Sequence, residues 1–545
     1  MFPLNPSKKQ QKTASQIAFI GILLLFAAYT ARFIERTSFM VDGVRYFALF
    51  DDAMISMQYA RNLADGNGLV WNAGGERVEG FSNPLWVFYM AVFHAFGFPD
   101  RLVSLPIQIS GAAFLAINLF LVKNIADRIL AGYLAPLLVT LLTAFYFHLN
   151  NWALQGLEIG LLVALLSASV LLALKDIERR RFSVWPYIPL AAGTLVRVDM
   201  VIPMAVMTIV MALKSPQSRN QHLVSGLGLF LASMLAQTVA RYLYYGDLLP
   251  NTYFLKVVGV PLFDRLRRGL SVFGQFVWGS GWFLMILPLL LILPRPGTST
   301  LLLFGILFGQ IAYSIYVGGD AWEHKGGANR FLAIGMPIFF ILFVQVIDKI
   351  RAALLGPTRA HSRRFISQGL MSILVITSLF SFNVINENDP LAKWTLIKRP
   401  IFVSGTERYV NLGLLLNRIT EEEAKIAVVT AGNIVYFAER EGIDMLGKSD
   451  RVIAHSLPHE NSGVLDNVED IFRPGHNKWD YEHSIGQLRP DIVAQIWGST
   501  REAAPYLEEG GYEYYEVDGF PLYIRTDSDH IKWNLVNSRA SNKEN

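Results

Sequence analysis

The sequence contains no cysteine and has few charged residues for its length. Without cysteine, the chain can form no disulfide, no thiolate nucleophile and no cysteine-ligated metal site. Charged side chains make up 17% of the 545 residues and hydrophobic ones 52%, a balance too apolar for an ordinary soluble protein. The net charge of +4 is small and scattered, so nucleic acid is not an expected partner. The composition favours a polytopic α-helical membrane protein.

Long apolar segments recur through the first 380 residues, and a transmembrane helix needs about 20 such residues. Lys8, Lys9 and Lys12 precede the first segment and no small-residue cleavage site follows it. We therefore expect a retained first helix with a cytoplasmic N-terminus. Applied to the later segments, the positive-inside rule predicts about eleven transmembrane helices. The candidate spans are 14–36, 102–122, 130–147, 159–174, a hairpin of two within 184–213, 224–245, 270–293, 301–317, 331–347 and 366–380.

Two stretches depart from this pattern. The apolar segment 84–98 is short for a span, so we interpret it as a helix that lies on the outer face or dips into it. Arg265, Arg267 and Arg268 fall on the outer side, against the positive-inside rule. We interpret that stretch as an interfacial helix whose arginines can meet lipid phosphates.

The hydropathy changes near residue 382. Short apolar runs at 426–430, 492–497 and 521–525 are typical of strands, and polar, glycine-containing stretches separate them. The sequence therefore predicts a transmembrane module over residues 1–381, with a first outer loop at 37–101. A soluble α/β domain over residues 382–545 follows on the periplasmic side.

The first outer loop carries two adjacent acids, Asp51 and Asp52, within a few residues of a predicted membrane boundary. Ionised groups near hydrocarbon are costly to keep, so this pair is a candidate functional site. A solvated carboxylate that caps the following helix is the alternative, and it stays open for either residue.

Further polar side chains are concentrated on the same predicted face. They are Glu79, Glu158, Arg197, Asp199, Asp247, Asn251, Lys256, Asp320, His324 and Arg330. We expect them to surround one cavity at the outer membrane surface, roofed by the soluble domain. Such a cavity accepts a substrate with a lipid tail and a polar head. Carboxylates there can act as general base on an acceptor hydroxyl, and cations can hold a phosphate leaving group.

Several of these residues also have a structural interpretation. Asp247 can cap a turn, and the side chain of Lys256 can extend to the interface. Arg197 and Asp199 can pair to stabilise the predicted hairpin. Glu158 opens a helix, where a carboxylate complements the helix dipole.

The histidines show no metal-ligand spacing, and His324 by itself is more often a loop histidine than a ligand. A divalent cation could be held by Asp51, Asp52 and Glu158, but no motif indicates one. The sequence indicates no other cofactor.

Several motifs, taken together, resemble the GT-C glycosyltransferases. The first outer loop reads DDAMISMQYARNLADGNGLVWNAGGERVEGFSNPLW. GLE at 156–158, RVD at 197–199, YGDLLPNTYFLK at 245–256, and GGD at 318–320 with RF at 330–331 follow in order. AGNIVYFAEREGIDMLGKSDRVIAH at 431–455 and PGHNKWDYEHSIGQLRPDIV at 474–493 continue the likeness. The set is similar to the group that includes the mycobacterial terminal β-arabinofuranosyltransferase AftB and the ZomB-like proteins.

The resemblance implies an inverting transferase that uses a polyprenyl-phosphate-linked sugar, arabinofuranose in the mycobacterial case. The implied acceptor is a cell-envelope glycan on the periplasmic face of a bacterial inner membrane. It implies Asp51 or Asp52 as the base and Glu158 as a second acidic position. We expect Arg197, Asn251, Lys256 and Arg330 to bind the donor phosphate. We expect Glu79, Glu158, Asp199, Asp247, Asp320 and His324 to bind the acceptor or support the site.

Two alternatives stay open. The chain can be a non-catalytic envelope or flagellar assembly protein that retains the fold. In the soluble domain, the aromatic residues Trp479, Tyr481, Tyr512 and Tyr514 fit either acceptor binding or a folded core.

Overall fold

The computed structural model describes residues 8–293, 295–323, 329–355, 361–384, 388–459 and 473–539. A helical module comes first. Its helices are α1 Lys8–Thr37, α2 Asp51–Ala64, α3 Pro84–Ala95, α4 Ser104–Ile129, α5 Leu134–Ala144, α6 Phe147–Leu154, α7 Ile159–Arg179, α8 Tyr187–Val196, α9 Val201–Lys214, α10 Arg219–Tyr245, α11 Asn251–Lys256, α12 Leu262–Gly279, α13 Trp282–Ile286, α14 Thr298–Tyr316, α15 Arg330–Leu355 and α16 His361–Asn383. A small hairpin, β1 Phe39–Val41 and β2 Val44–Tyr46, follows α1.

Within the described ranges, seven helices are long and apolar enough to cross a membrane, which makes the chain a multi-pass membrane protein. Two bent pairs, α5 with α6 and α12 with 282–291, raise the number to nine. The expected number was eleven, and the difference lies at the predicted hairpin 184–213. Helices α8 and α9 have 10 and 14 residues. At about 1.5 Å per residue they reach only about 15 and 21 Å, short of the ~30 Å hydrocarbon core.

The structure agrees with the interpretation of one of the two irregular stretches and contradicts that of the other. Segment 84–98 forms the 12-residue helix α3, too short for a span, as predicted. Of the three arginines in α12, however, Arg267 is exposed, whereas Arg265 and Arg268 are buried. The interpretation that these arginines face lipid phosphates is therefore wrong for Arg265 and Arg268.

Burial separates the central helices from the peripheral ones. Helix α15 is apolar on all sides and almost wholly buried, so it forms the centre of the bundle. Helices α1 and α10 are also apolar, yet most of their surface is exposed. In a bilayer that exposed apolar surface faces lipid, because lipid tails are as apolar as the side chains.

The C-terminal part is an α/β unit. Its elements are α17 Pro390–Trp394, α18 Val403–Ile419, β3 Lys425–Val428, α19 Asn433–Ala438, β4 Glu441–Asp444, α20 Arg451–His455, β5 Ile492–Val493, α21 Thr500–Glu509, β6 Tyr512–Val517, β7 Phe520–Arg525 and α22 Trp533–Arg539. The predicted strands correspond to β3, β5 and β7, so the α/β prediction is confirmed.

The sheet has the order β4-β3-β5-β7-β6. Strand β3 runs parallel to β4 and β5, and β7 runs antiparallel to β5 and β6. Asp518 and Gly519 join β6 to β7 with φ of 48° and 76°. This Asp-Gly pair suits a tight hairpin turn that needs positive φ at both positions.

The α/β unit packs directly on the helical module, and a buried lysine connects the two. The Lys478 ammonium donates to the Phe254 carbonyl oxygen at 3.0 Å and to the Ala454 carbonyl oxygen at 2.8 Å. These carbonyls lie near the C-terminal ends of α11 and α20, where a cation is favoured. Lys478 therefore connects the α/β unit to the segment that carries Lys256.

Replacing Lys478 with Met is expected to destabilise the folded protein by on the order of 3 kcal/mol, because two buried carbonyls lose a charged donor. The midpoint of thermal unfolding in detergent, followed together with protease release of the α/β unit, measures this loss. Lys425→Met is the matched control, since the Lys425 side chain is 44% exposed and pairs only at the surface. Equal unfolding midpoints for the two variants would refute the proposed connection.

Candidate functional site

The acidic pair lies in the first turn of α2, but neither carboxylate caps that helix. Asp51 Oδ1 instead accepts the Asn433 backbone N–H at 2.7 Å, from the start of α19. A side chain at Gly432 would collide with the Asp51 backbone oxygen, only 2.1 Å from the position of a Cβ. The chain approaches this closely only with glycine there. The helix-capping alternative is therefore wrong, and the α/β unit contacts the acidic pair.

Asp52 is the centre of a buried ion network. Its Oδ1 accepts from Lys448 Nζ at 2.8 Å, and its Oδ2 accepts from Arg330 Nη2 at 3.1 Å. Arg330 also contacts the Asp320 carboxylate, at 3.0 Å through Nη2 and 2.8 Å through Nε. These side chains are no more than 14% exposed. Residues from α2, the start of α15, the loop after α14 and the loop after β4 thus converge on one point.

The two adjacent carboxylates have different proton affinities. Burial raises the pKa of Asp51 to about 6, although the Lys448 charge opposes the increase. Burial also acts to raise the pKa of Asp52, but Lys448, Arg330 and Lys256 outweigh it and hold that pKa well below its usual range. Asp52 therefore stays ionised, while Asp51 takes up or releases a proton near neutral pH. Such divergence of neighbouring groups is typical of acid–base sites.

Lys256 adds a further cation to the network from the end of α11. Burial and the nearby Arg330 charge lower the pKa of Lys256 to about 8, against the attraction of Asp52. Arg473 also lies within electrostatic range of Asp52 and Asp320. The four cations Lys256, Arg330, Lys448 and Arg473 face the three carboxylates Asp51, Asp52 and Asp320.

Arg197 forms a second cluster next to this site, in which one cation contacts two carboxylates. Its guanidinium donates to both oxygens of Asp199, at 2.6 and 2.8 Å, and to Glu158 Oε1 at 3.1 Å. Glu158 also accepts from Asn83 Nδ2 at 3.1 Å. The Arg197 guanidinium lies 5.1 Å from the centre of the Phe331 ring, beside Arg330. Two carboxylates engage Arg197, which favours the structural pair with Asp199, and its expected role as a phosphate ligand stays a prediction.

The other predicted residues lie further from Asp52. The Asn251 side-chain amide donates to the carbonyls of Gly447, Lys448 and Asp450 at 2.9–3.2 Å. It therefore shapes the loop that presents Lys448, and this corrects the expectation that it binds phosphate directly. Glu79 pairs with the buried Arg241, and Asp247 pairs with Arg451 at 2.6 Å. Neither acid reaches the Asp52 network, and His324 lies outside the described residues.

The α/β unit contributes charged residues to which no sequence motif assigned a role. Lys448 lies in the GKSD segment at 447–450, and Arg473 and His476 begin the RPGHNKW segment at 473–479. Arg473 donates to the Ala321 carbonyl at 3.1 Å. Burial, with the Lys448 and Arg473 charges, lowers the pKa of His476 to about 3, so this imidazole stays neutral. Both segments belong to the motifs that carry the family resemblance, and this membership is the sequence signal that could have pointed to these residues.

A large cavity lies between the helical module and the α/β unit, and Asp51 and Lys448 line it. Its volume is about 1440 Å³, larger than the roughly 300–1,000 Å³ of ordinary small-molecule sites. Its walls come from α18, the segments that follow β3 and β5, and the β6–β7 hairpin. The cavity therefore lies at the carboxyl ends of parallel strands, where ligands bind in open α/β sheets.

The carboxylates of the site do not form a metal centre in the described residues. No group of three or more His, Asp or Glu side chains there is arranged to hold a metal ion. Asp52 is engaged by two cations, Asp51 by Asn433, and Glu158 by Arg197 and Asn83. This arrangement does not fit a divalent cation on Asp51, Asp52 and Glu158.

Comparisons with known proteins agree with this fold. A family model described as a domain of unknown function, DUF8728, matches residues 401–523. No curated protein matches the sequence significantly.

Solved membrane enzymes share the architecture at low identity. ArnT from Cupriavidus metallidurans, solved bound to undecaprenyl phosphate, is 11% identical to this chain, with a TM-score of 0.57. The matched region covers 95% of this chain and 99% of the ArnT chain. The apo form of the Archaeoglobus fulgidus oligosaccharyltransferase is 11% identical to this chain, with a TM-score of 0.50. The matched region covers 94% of this chain and 75% of that enzyme chain. The same archaeal enzyme, AglB, in complex with an inhibitory peptide and a dolichol-phosphate, also has a TM-score of 0.50 at 11% identity, covering 94% and 74%. The chain therefore has the GT-C fold.

Proposed function

We propose that this chain is an inverting glycosyltransferase that moves a sugar from a polyprenyl-phosphate donor to a cell-envelope glycan. The observation that carries the proposal is the buried network of Arg330, Lys448 and Lys256 around Asp52, from which Lys448 lines a large cavity together with Asp51. The lipid phosphates named for ArnT and AglB support a ligand of this class.

The charge of the site matches the donor. A polyprenyl-phospho-sugar is a phosphodiester with a single negative charge. Arg330 and Lys448 already pair with Asp52, and a buried charge is stable only when it is paired, so the phosphodiester supplies a partner for Lys256. Lys256 gains most, because an anion beside it offsets the burial and the Arg330 charge that lower its pKa to about 8. The prenyl tail then extends among the apolar helices.

The chemical step needs one base and stabilisation of one leaving group. An acceptor hydroxyl in the cavity gives its proton to Asp51 while its oxygen attacks the anomeric carbon. The bond from that carbon to the phosphate oxygen breaks, and the electron pair leaves with polyprenyl phosphate. The second negative charge that develops there is stabilised by the preorganised Lys256, Arg330 and Lys448. A single displacement of this kind inverts the anomeric centre.

The finer assignments of the proposal rest on the sequence motifs. The resemblance to the terminal β-arabinofuranosyltransferase group makes arabinofuranose the first sugar to test. The positive-inside rule supports catalysis on the periplasmic face of a bacterial inner membrane, with the N-terminus in the cytoplasm. We retain the boundary between a catalytic module at 1–381 and a periplasmic domain at 382–545 as part of this proposal.

Purified protein in nanodiscs is expected to release decaprenyl phosphate from decaprenyl-phospho-arabinose when an arabinan oligosaccharide is added. Mass spectrometry of the extended glycan and of the released lipid measures the reaction. A decaprenyl-phospho-mannose reaction run in parallel tests whether the site selects a pentose.

The second candidate function, a non-catalytic assembly protein with the same fold, makes the opposite prediction. It requires no turnover with any pentose or hexose donor, and an unchanged envelope phenotype when Asp51 is replaced. Together these two results would refute the enzymatic proposal.

A further inference from the structure

The cavity that Asp51 lines also carries two arginines, Arg408 and Arg473, that form no ion pair within the described residues. Arg408, on α18, lies over the Phe520 ring at 5.8 Å and forms no ion pair in the described residues. Arg473 lies over Trp322 and Trp497 at 4.9 and 5.5 Å and, within the same ranges, also forms no ion pair. Two other cations of the wall are compensated, since Arg399 pairs with Glu407 and Lys448 with Asp52.

Tyr409 lines the same cavity as both arginines and the proposed base. Burial raises the pKa of the Tyr409 phenol, and the Asp51 charge acts in the same direction. The Arg408 and Arg473 charges oppose the increase, so all three ions lie within electrostatic range of this one ring. Thr430, which follows the carboxyl end of β3, lines the same cavity. Two cations and two hydroxyl-bearing side chains thus line the cavity that also has Asp51 in its wall.

We propose that this wall binds an acidic sugar of the acceptor, one that carries a carboxylate or a phosphate group close to the accepting hydroxyl. The proposal deepens the proposed function, on which it rests, because it names the class of acceptor. Arginine forms bidentate hydrogen bonds with either anion. An anion at Arg408 and Arg473 fixes the acceptor while a neighbouring hydroxyl reaches Asp51. Productive orientation of this kind contributes strongly to rate.

The surroundings favour a glycan over a lipid headgroup as the occupant. The cavity is bordered by the sheet and α18 of the α/β unit, and its volume of about 1440 Å³ admits several sugar rings. Phe402, Trp497, Tyr514 and Tyr523 line it and supply flat apolar faces with polar edges. Tyr514, one of the aromatic residues considered for acceptor binding, is thus in the cavity wall.

Binding can be measured without the donor, by the tryptophan fluorescence of the full chain in phosphatidylcholine nanodiscs. Trigalacturonate is expected to bind at least 10-fold more tightly than its neutral trimethyl ester. Galactose 6-phosphate compared with galactose shows whether phosphate substitutes for carboxylate. Arg408→Gln and Arg473→Gln are each expected to weaken trigalacturonate binding about 10-fold without changing the binding of the ester. Arg179→Gln is the matched control, since Arg179 is exposed at the end of α7.

The outcomes separate the two proposals. Equal binding of the acid and the ester, or Arg408→Gln binding like the native protein, would overturn the acidic-acceptor proposal. So would a fluorescence change caused only by phosphatidylglycerol vesicles, because the occupant would then be a lipid surface. The proposed transfer of a sugar to neutral arabinan does not depend on either result. Conversely, a protein that binds trigalacturonate but transfers no sugar would refute the enzymatic step and leave the binding site standing.

Discussion

Replacement of Asp51 with Asn is expected to lower kcat by about 10³-fold, with little change in donor affinity. The amide keeps the size of the side chain but cannot take the proton of the acceptor hydroxyl, and a general base contributes roughly 10²- to 10⁴-fold. The proposed donor contacts, Lys256, Arg330 and Lys448, remain in place. Single-turnover transfer measures the chemical step, and a polyprenyl-phosphate binding assay measures the affinity.

The pH dependence identifies which Asp is the base. Asp51 acts when it is deprotonated, so kcat/KM should rise as the pH increases through about 6. Lys256 acts when it is protonated, so kcat/KM should fall above about 8. The result is a bell-shaped profile, whose two limbs report apparent values for the coupled site. In Asp51→Asn the acidic limb should disappear and the basic limb remain.

Asp52→Asn is the matched control for this result. It leaves the proposed base intact and removes the carboxylate between Arg330 and Lys448, so the acidic limb should persist while activity falls by a smaller factor. An acidic limb that persists in Asp51→Asn, or that disappears only in Asp52→Asn, would assign the base to Asp52 instead.

Replacement of Arg330 with Gln is expected to cause the largest loss of stability, about 3–5 kcal/mol, together with loss of donor binding. The guanidinium connects Asp52 to Asp320, whose side chains are 14% and 4% exposed. Removing one partner leaves buried charges uncompensated, and this costs more than the ion pair contributes. The thermal unfolding midpoint and the dissociation constant for polyprenyl phosphate are the measurements.

Three further variants separate loss of charge from loss of the fold. Arg330→Lys keeps the charge but lacks the planar fork that spans two carboxylates, so partial recovery is expected. Adding Asp52→Asn to Arg330→Gln removes one orphaned charge and should recover part of the stability. Arg351→Gln changes an arginine near the other end of α15, where the pair with Asp348 is more exposed, and should have little effect. A native-like unfolding midpoint and native-like donor affinity for Arg330→Gln would contradict the assigned role.

The α/β unit takes part in the site and is not only a cover over it. It supplies Lys448 to Asp52 and the Asn433 backbone N–H to Asp51. Since Lys478 and Asn251 hold the relevant loops against the helical module, movement of the unit would separate the two acids from these partners. Binding of acceptor in the cavity between the two parts would therefore stabilise the arrangement that the chemistry needs.

The sequence by itself determined the features that depend on local patterns. Hydropathy located the long helices and the change to an α/β unit, because burial in lipid or in a sheet demands apolar side chains at short, regular spacing. It also identified Asp51 and Asp52, since acids beside an apolar segment are conspicuous. The Arg197–Asp199 pair could be anticipated, because the two residues lie only two positions apart.

Only the tertiary structure decided which charges meet. Asp52 is 278 positions from Arg330 and 396 from Lys448, and no local pattern encodes a contact at such separation. Lys448 and Arg473 look like ordinary surface cations in the sequence. Likewise, the apolar composition of 184–213 is that of a membrane hairpin, whereas the break at Arg197 leaves two helices too short to span. Burial and neighbouring charge set the proton affinity of each carboxylate, and both are properties of the packed chain.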